Sequence, residues 1–137
     1  PLFFANSDQF VEWDSNEFLY KMNETNADGG IVTFEATHPK WSFAKINEQG
    51  LVTEVAEKKP ISNIATVGFY YWKQGSDFVK YAEQMINKNI RVNNEFYVCP
   101  VFNQAIEDNK EIRTFNINGM WGLGTPEDLN YYLENYK

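Results

Sequence analysis

The sequence predicts an α/β layered domain built on a mixed sheet, and three observations carry that prediction. Segments of strand character and of helix character are interspersed along the 137 residues, the pattern of helices covering a sheet. A hairpin signal, Asn47-Glu48-Gln49-Gly50 between two apolar runs, requires antiparallel neighbours within that sheet. Thr125-Pro126 then opens a well-marked helix near the C-terminal end, with a capping hydroxyl and proline in the first turn.

The elements follow in order. Leu2 to Ala5 is a short apolar run that breaks at Asn6-Ser7-Asp8, a buried strand leading into a loop. Asp14 with Glu17 three residues on forms a capping-box pattern. Trp13 is placed to staple onto Phe18, and Leu19 and Met22 continue the apolar face. That helix fails by Asn26-Ala27-Asp28-Gly29-Gly30, after which Ile31 to Ala36 reads as a strand. Trp41 to Ile46 and Leu51 to Val55 form the hairpin arms, and Ile64 to Trp72 is a long apolar and aromatic strand. A helix over Ser76 to Asn87 places Phe78, Val79, Ala82, Met85 and Ile86 on one face. A shorter helix over Val101 to Glu107 and a strand over Glu111 to Ile117 precede the last helix. In that helix Leu129, Tyr132, Leu133 and Tyr136 share a face.

Composition narrows the function. Twelve basic against 19 acidic side chains give a net charge of −7, which offers no basic footprint for nucleic acid or for an anionic membrane. No apolar run approaches the ~18 residues of a membrane span. The single cysteine, Cys99, excludes an internal disulfide or a multi-cysteine zinc site and reads as a buried small hydrophobe. The cytoplasm is the default compartment for such a chain. No Gly-rich phosphate loop of the GxGxxG or GxxxxGK[ST] kind occurs. Pro1-Leu2-Phe3-Phe4 reads as a strand entered in mid-fold, so the expectation is a piece of a larger domain whose opened fold exposes apolar surface and favours self-association.

Three blocks in order carry a family resemblance. They are Phe4-Ala5-Asn6-Ser7-Asp8-Gln9, then Val55-Ala56-Glu57-Lys58-Lys59-Pro60-Ile61-Ser62-Asn63 running on to Ala65-Thr66-Val67-Gly68-Phe69-Tyr70, then Trp121-Gly122-Leu123-Gly124-Thr125-Pro126-Glu127-Asp128-Leu129. With Asn94-Glu95-Phe96-Tyr97 between the second and third, they resemble the sugar-1-phosphate nucleotidylyltransferases (nucleoside-diphosphate-sugar pyrophosphorylases) from Leu2 to about Leu133. The resemblance implies a three-layer α/β/α sandwich with a mixed sheet, N-terminally incomplete, because the family's Gly-rich nucleotide loop is not in this sequence. Residues 1–137 are then a partial nucleotidyltransferase domain, the sugar-phosphate-binding portion. The parent protein would join a nucleoside triphosphate to a sugar 1-phosphate and release pyrophosphate, and this chain alone would not turn over.

The resemblance also implies roles. Asp8 stands at the metal-ligand position, where a hard carboxylate holds Mg²⁺ against phosphate oxygens. Glu57 and Lys58 match a pair in which the acid accepts sugar hydroxyls and the lysine neutralises the sugar phosphate, although Lys59 leaves the register open. Glu95 matches an acid aimed at the sugar hydroxyls, and Ser42 a position, usually glycine, against the sugar. Gly68 inside a strand marks close approach by a ligand or by a neighbouring chain segment. Gly122 departs from the pattern, since many members place a second metal carboxylate there. Either Asp8 and the triphosphate hold the metal, or catalysis is weakened. Asp128 reads as the N3 residue of the Thr125 cap, a poor substitute for the absent carboxylate. His38 reads as a surface residue, and Phe69 to Trp72 as core before any stacking platform. The competing readings are a non-catalytic phosphosugar-binding or interaction module, and a related metal-dependent glycosyltransferase, the latter disfavoured because Asn6-Ser7-Asp8 lacks a paired Asp-x-Asp.

Overall fold

Side chains alternate across the two central strands, so apolar groups emerge from both faces of the sheet and each face acquires a helical cover. The computed structural model describes residues 1–137. In chain order the elements are β1 (Leu2–Ala5), β2 (Gln9–Glu12), α1 (Ser15–Glu24), β3 (Gly29–Glu35), β4 (Ser42–Ile46), β5 (Val52–Glu57) and β6 (Ile64–Trp72). They continue with α2 (Gly75–Asn87), α3 (Val101–Glu107), β7 (Ile112–Asn116), β8 (Gly119–Gly122) and α4 (Pro126–Asn135). The main sheet has the order β5-β4-β6-β3-β7, with β1 also paired to β6. Strands β3 and β6 are antiparallel while β3 and β7 are parallel, so the sheet is mixed as the hairpin required.

On one face Ile31, Tyr70 and Trp72 meet Tyr81 and Met85 of α2 and Val101, Phe102 and Ala105 of α3. Trp72 stacks flat on Phe102, ring centroids 4.4 Å apart. On the other face Val32, Val67 and Tyr71 meet Phe18 and Met22 of α1. Helix layers on both sides make the expected three-layer sandwich. At the entry to α1 the Asp14 cap and the Trp13–Phe18 staple form as expected, the cap bonding Asn16 and not Glu17. The Asp14 side chain accepts from the backbone of Asn16, and Trp13 packs on Phe18 at 5.7 Å.

Several expectations need correction. Strand β3 starts at Gly29, earlier than Ile31. Both glycines are buried, and a Cβ on Gly29 would come within 2.8 Å of Phe102 and Ile112, so their smallness serves close packing as well as ending the helix. Leu19, Val79 and Ile86 are exposed. The buried stripe of α2 is centred on Tyr81 and Met85, with Phe78 and Ala82 packed against the core, because a helix on one sheet face buries a narrower arc than its apolar residues span. No residue of α4 is fully buried, and Leu129, Leu133 and Tyr136 are exposed. A second small sheet, β2 paired antiparallel with β8, was not evident in the sequence. Each of its strands has only four residues, too few for a period to register.

One irregularity positions the site. Between the pairs Ile31↔Tyr70 and Thr33↔Thr66, β6 advances farther than β3, forming a bulge. Gly68 lies in it with φ +92°, and a Cβ there would overlap the Asn6 amide. The close neighbour is therefore the chain itself, at the end of β1.

Candidate functional site

The bulge lets the turn after β1 settle onto β6, and a cleft of about 290 Å³ opens there. Asn6 donates its backbone N–H to the Gly68 carbonyl at 3.2 Å. Gln9 donates its side-chain amide to the Val67 carbonyl at 2.5 Å. Leu123 donates to the Asp8 carbonyl at 2.8 Å, pinning the turn from the other side. The Asp8 carboxylate then rests against Gly124, where a Cβ would stand 2.7 Å from Oδ2. A second carboxylate lies along the same segment. Asp128 closes the α4 cap by donating its N–H to Thr125 Oγ1 at 3.1 Å. Its side chain lies over Gly122, with Oδ2 3.4 Å from where a Cβ would be. Lys40 donates to Asp128 Oδ1 at 3.3 Å.

The opposite wall comes from the main sheet. Ser42 and Glu57 face each other in the β4–β5 register, and the Ser42 hydroxyl donates to Glu57 Oε2. Burial raises the Glu57 pKa, an effect that the Ser42 hydrogen bond and the Lys58 charge only partly oppose. Tyr70 is buried beside it and shares a hydrogen bond with Thr66 at 2.8 Å. Burial lifts the Tyr70 phenol well above its ordinary value and the Cys99 thiol to about 12. Both are therefore neutral groups at pH 7, and Cys99 is the inert buried thiol expected of it. A smaller cleft of about 260 Å³ shares Asn6, Ser42, Glu57 and Tyr70 with the first and extends to Tyr97 and Cys99.

Of the residues singled out by sequence, Asp8, Ser42 and Glu57 line one cleft. Lys58 does not line it. It follows β5 in a left-handed conformation, φ +58°, and donates to the Tyr97 hydroxyl at 2.9 Å, its ammonium also 5.0 Å from the Tyr97 ring centre. That hydroxyl, chiefly, holds the Lys58 pKa up, with Glu57 and Glu95 adding attraction. Lys58 is thus tied to the rim of the smaller cleft through Tyr97. Glu95 is exposed, closes a tight turn by exchanging backbone hydrogen bonds with Val92 at 2.9 and 3.0 Å, and lines neither cleft. His38 is exposed, its ring nitrogen accepting from the Lys40 N–H. Sequence reasoning missed Lys40 and Asp128 as cleft residues. Lys40 lies in a loop without motif. Asp128 had a sufficient local explanation as a cap, and nothing in the sequence placed its carboxylate in the cleft.

The donor set suits a hard divalent cation. Two carboxylates, Asp8 and Asp128, and the Asn6 amide are oxygen-bearing groups with no soft ligand among them. No group of three or more His, Cys, Asp or Glu gathers anywhere. Mg²⁺ typically takes one or two carboxylates and completes its shell with water and phosphate oxygens, a donor chemistry that these residues match.

The mixed sheet between helix layers, with a polar cleft at the end of β1, makes this an α/β sandwich protein. No protein-family model matches the sequence, and no curated protein matches it. Among solved structures, it superimposes on the nucleoside-diphosphate-sugar pyrophosphorylase from Vibrio cholerae RC9 with a TM-score of 0.78 and 22% identity, over 98% of this chain and 58% of that one. A protein from Bacillus anthracis assigned as a glucose-1-phosphate thymidylyltransferase, in complex with sucrose, matches with a TM-score of 0.69 and 17% identity, over 90% of this chain and 49% of that one. The chain thus shares their fold and spans about half the length of each.

Proposed function

We propose that this chain provides the sugar-phosphate-binding portion of a nucleotidyltransferase that joins a nucleoside triphosphate to a sugar 1-phosphate and releases pyrophosphate. The observation that carries this reading is the convergence of Asp8, Glu57 and Ser42 on one polar cleft where β1 ends, in a fold shared with proteins of that description. In the reaction an oxygen of the sugar phosphate attacks the α-phosphorus in line. One P–O bond forms, the α–β anhydride bond breaks, and pyrophosphate leaves with the electron pair.

The residues act by positioning and charge. Glu57, held by Ser42, accepts hydrogen bonds from sugar hydroxyls, and its partial burial strengthens them. Lys58 at the rim, released from Tyr97, meets the acceptor phosphate. Glu95 reaches the hydroxyls from the exposed turn only if that turn folds inward. Asp8 and Asp128 would hold Mg²⁺, which neutralises phosphate charge when bound. The reaction needs no covalent intermediate on the protein.

The test is a titration of the isolated chain with glucose 1-phosphate in the presence of Mg²⁺, followed by amide chemical shifts. Shifts clustered on residues 6–8, 42 and 57 and removed by Asp8→Asn are expected. Shifts elsewhere, or no saturable binding, would overturn the reading. Gly122 favours one other reading, a phosphosugar-binding module without catalysis, since no carboxylate is borne at that position. Pyrophosphate release by a protein carrying this chain decides between the two.

A further inference from the structure

We infer that Lys40 and Asp128 form an exchange pair that couples anion binding to divalent-cation binding in this cleft. A phosphate oxygen takes the Lys40 ammonium, and the Asp128 carboxylate so released joins Asp8 on the cation. The inference rests on the cleft being the phosphate and cation site proposed above, and it adds how the two ligands depend on each other.

The charges of the cleft favour such a device. Asp8, Glu57 and Asp128 line it, and Lys40 is the one Lys or Arg among the lining residues. A phosphate arriving alone meets surplus negative charge, and the one lysine lining the cleft is already engaged by Asp128 at 3.3 Å. A cation arriving alone meets Asp8, but the second carboxylate is neutralised by Lys40. Each ligand therefore meets an occupied partner that the other ligand would free.

The geometry makes the exchange local. Both carboxylates rest along Gly122-Leu123-Gly124, Asp128 over the first glycine and Asp8 over the last. The Asp128 backbone is fixed by its bond to Thr125 Oγ1, so only its side-chain torsions need change. The Lys40 ammonium is steadied over the Trp41 ring, 4.8 Å from its centre. The side chains of the pair are 45% and 27% exposed, and ion pairs this accessible to water separate at little cost. A Cβ at Gly124 would press on the Asp8 carboxylate at 2.7 Å, whereas one at Gly122 would stand at ordinary contact, 3.4 Å, from Asp128.

Calorimetric titration of the chain with Mg²⁺ and with inorganic phosphate, each in the absence and presence of the other, tests this. Wild type is expected to bind each probe about tenfold more tightly in the presence of the other, within the usual range of site–site coupling. Asp128→Asn should bind phosphate more tightly without Mg²⁺ and lose the coupling to within about twofold. Lys40→Gln should bind Mg²⁺ more tightly without phosphate and lose it equally. Coupling that persists undiminished in both variants overturns the exchange alone. Failure of the wild-type chain to bind either probe, or Mg²⁺ binding insensitive to Asp8→Asn, overturns the underlying site and the exchange with it.

Discussion

The body of the molecule and the arm that closes its cleft are held together by different physics. In the body, β3 and β6 are covered on both faces, and Trp72, Phe102, Tyr81 and Phe18 are almost fully buried. In the arm, β2, β8 and α4 carry no fully buried residue. Half-exposed aromatic contacts replace a core there: Tyr132 stacks on Tyr136 at 4.9 Å, and Trp121 and Phe10 meet Tyr132 at 5.7 and 5.9 Å. The cleft lies on the seam, with Ser42, Glu57 and Tyr70 from the body and Gly124, Thr125 and Asp128 from the arm. A rigid wall thus faces an adjustable one, a division suited to a ligand that must be both positioned and released.

Breaking the body should cost most. Trp72→Ala removes a fully buried ring and its 4.4 Å stack on Phe102, with an expected loss of about 3–5 kcal/mol. Urea unfolding should show that loss as a lower midpoint with the slope preserved. A loss under about 1 kcal/mol, the level of a surface site, would mean that the body is no more tightly packed than the arm.

At the seam, Gly68→Ala must adopt φ +92° with a methyl group against the Asn6 amide. Backbone strain of about 1–3 kcal/mol is expected, together with displacement of the turn bearing Asp8. Mg²⁺ binding should therefore weaken more than stability falls. Stability lost with Mg²⁺ affinity intact would show that the bulge serves the sheet alone.

How much of this was legible in the sequence divides along the same line. The body was largely readable, because long strands and helices repeat their apolar period often enough to register, as Ile64 to Trp72 does. The arm was not. Gln9 to Glu12 and Gly119 to Gly122 are one short run each, and their pairing spans more than one hundred residues of chain. The site shows a similar contrast. Asp8 and Glu57 stand in blocks whose resemblance names them, whereas Lys40 and Asp128 meet only through the fold. The outward positions of Val79 and Ile86 were misread because an apolar residue on a helix does not announce which arc the sheet will cover.

A smaller effect separates the two regions directly. Tyr132→Ala removes the ring at the centre of the arm's aromatic contacts and should cost about 0.5–1.5 kcal/mol. Amide exchange should quicken in β2 and β8 while β3 and β6 keep their protection. Equal acceleration in all four strands would make arm and body one cooperative unit.

The smallest expected effect has the opposite sign, and it joins stability to function at Glu57. Burial raises this carboxyl's pKa in the folded chain above the ordinary 4.5. Between the unfolded and folded pKa values the native state binds more protons than the unfolded chain. Stability therefore falls as pH rises through that interval, and the full cost of ionisation is present above it. Glu57→Gln keeps an acceptor for the Ser42 hydroxyl and carries no charge to bury. At pH 7 it should therefore raise Tm. As pH falls well below 4.5, wild-type Glu57 becomes protonated in both states, and the gain should vanish. The same substitution removes a charge-assisted acceptor for sugar hydroxyls and should weaken glucose 1-phosphate binding about tenfold. Thermal melts at the two pH values and one binding titration check all three outcomes. A variant less stable at pH 7, with binding unchanged, would make Glu57 a structural partner of Ser42 and leave the body's side of the cleft without its principal acceptor.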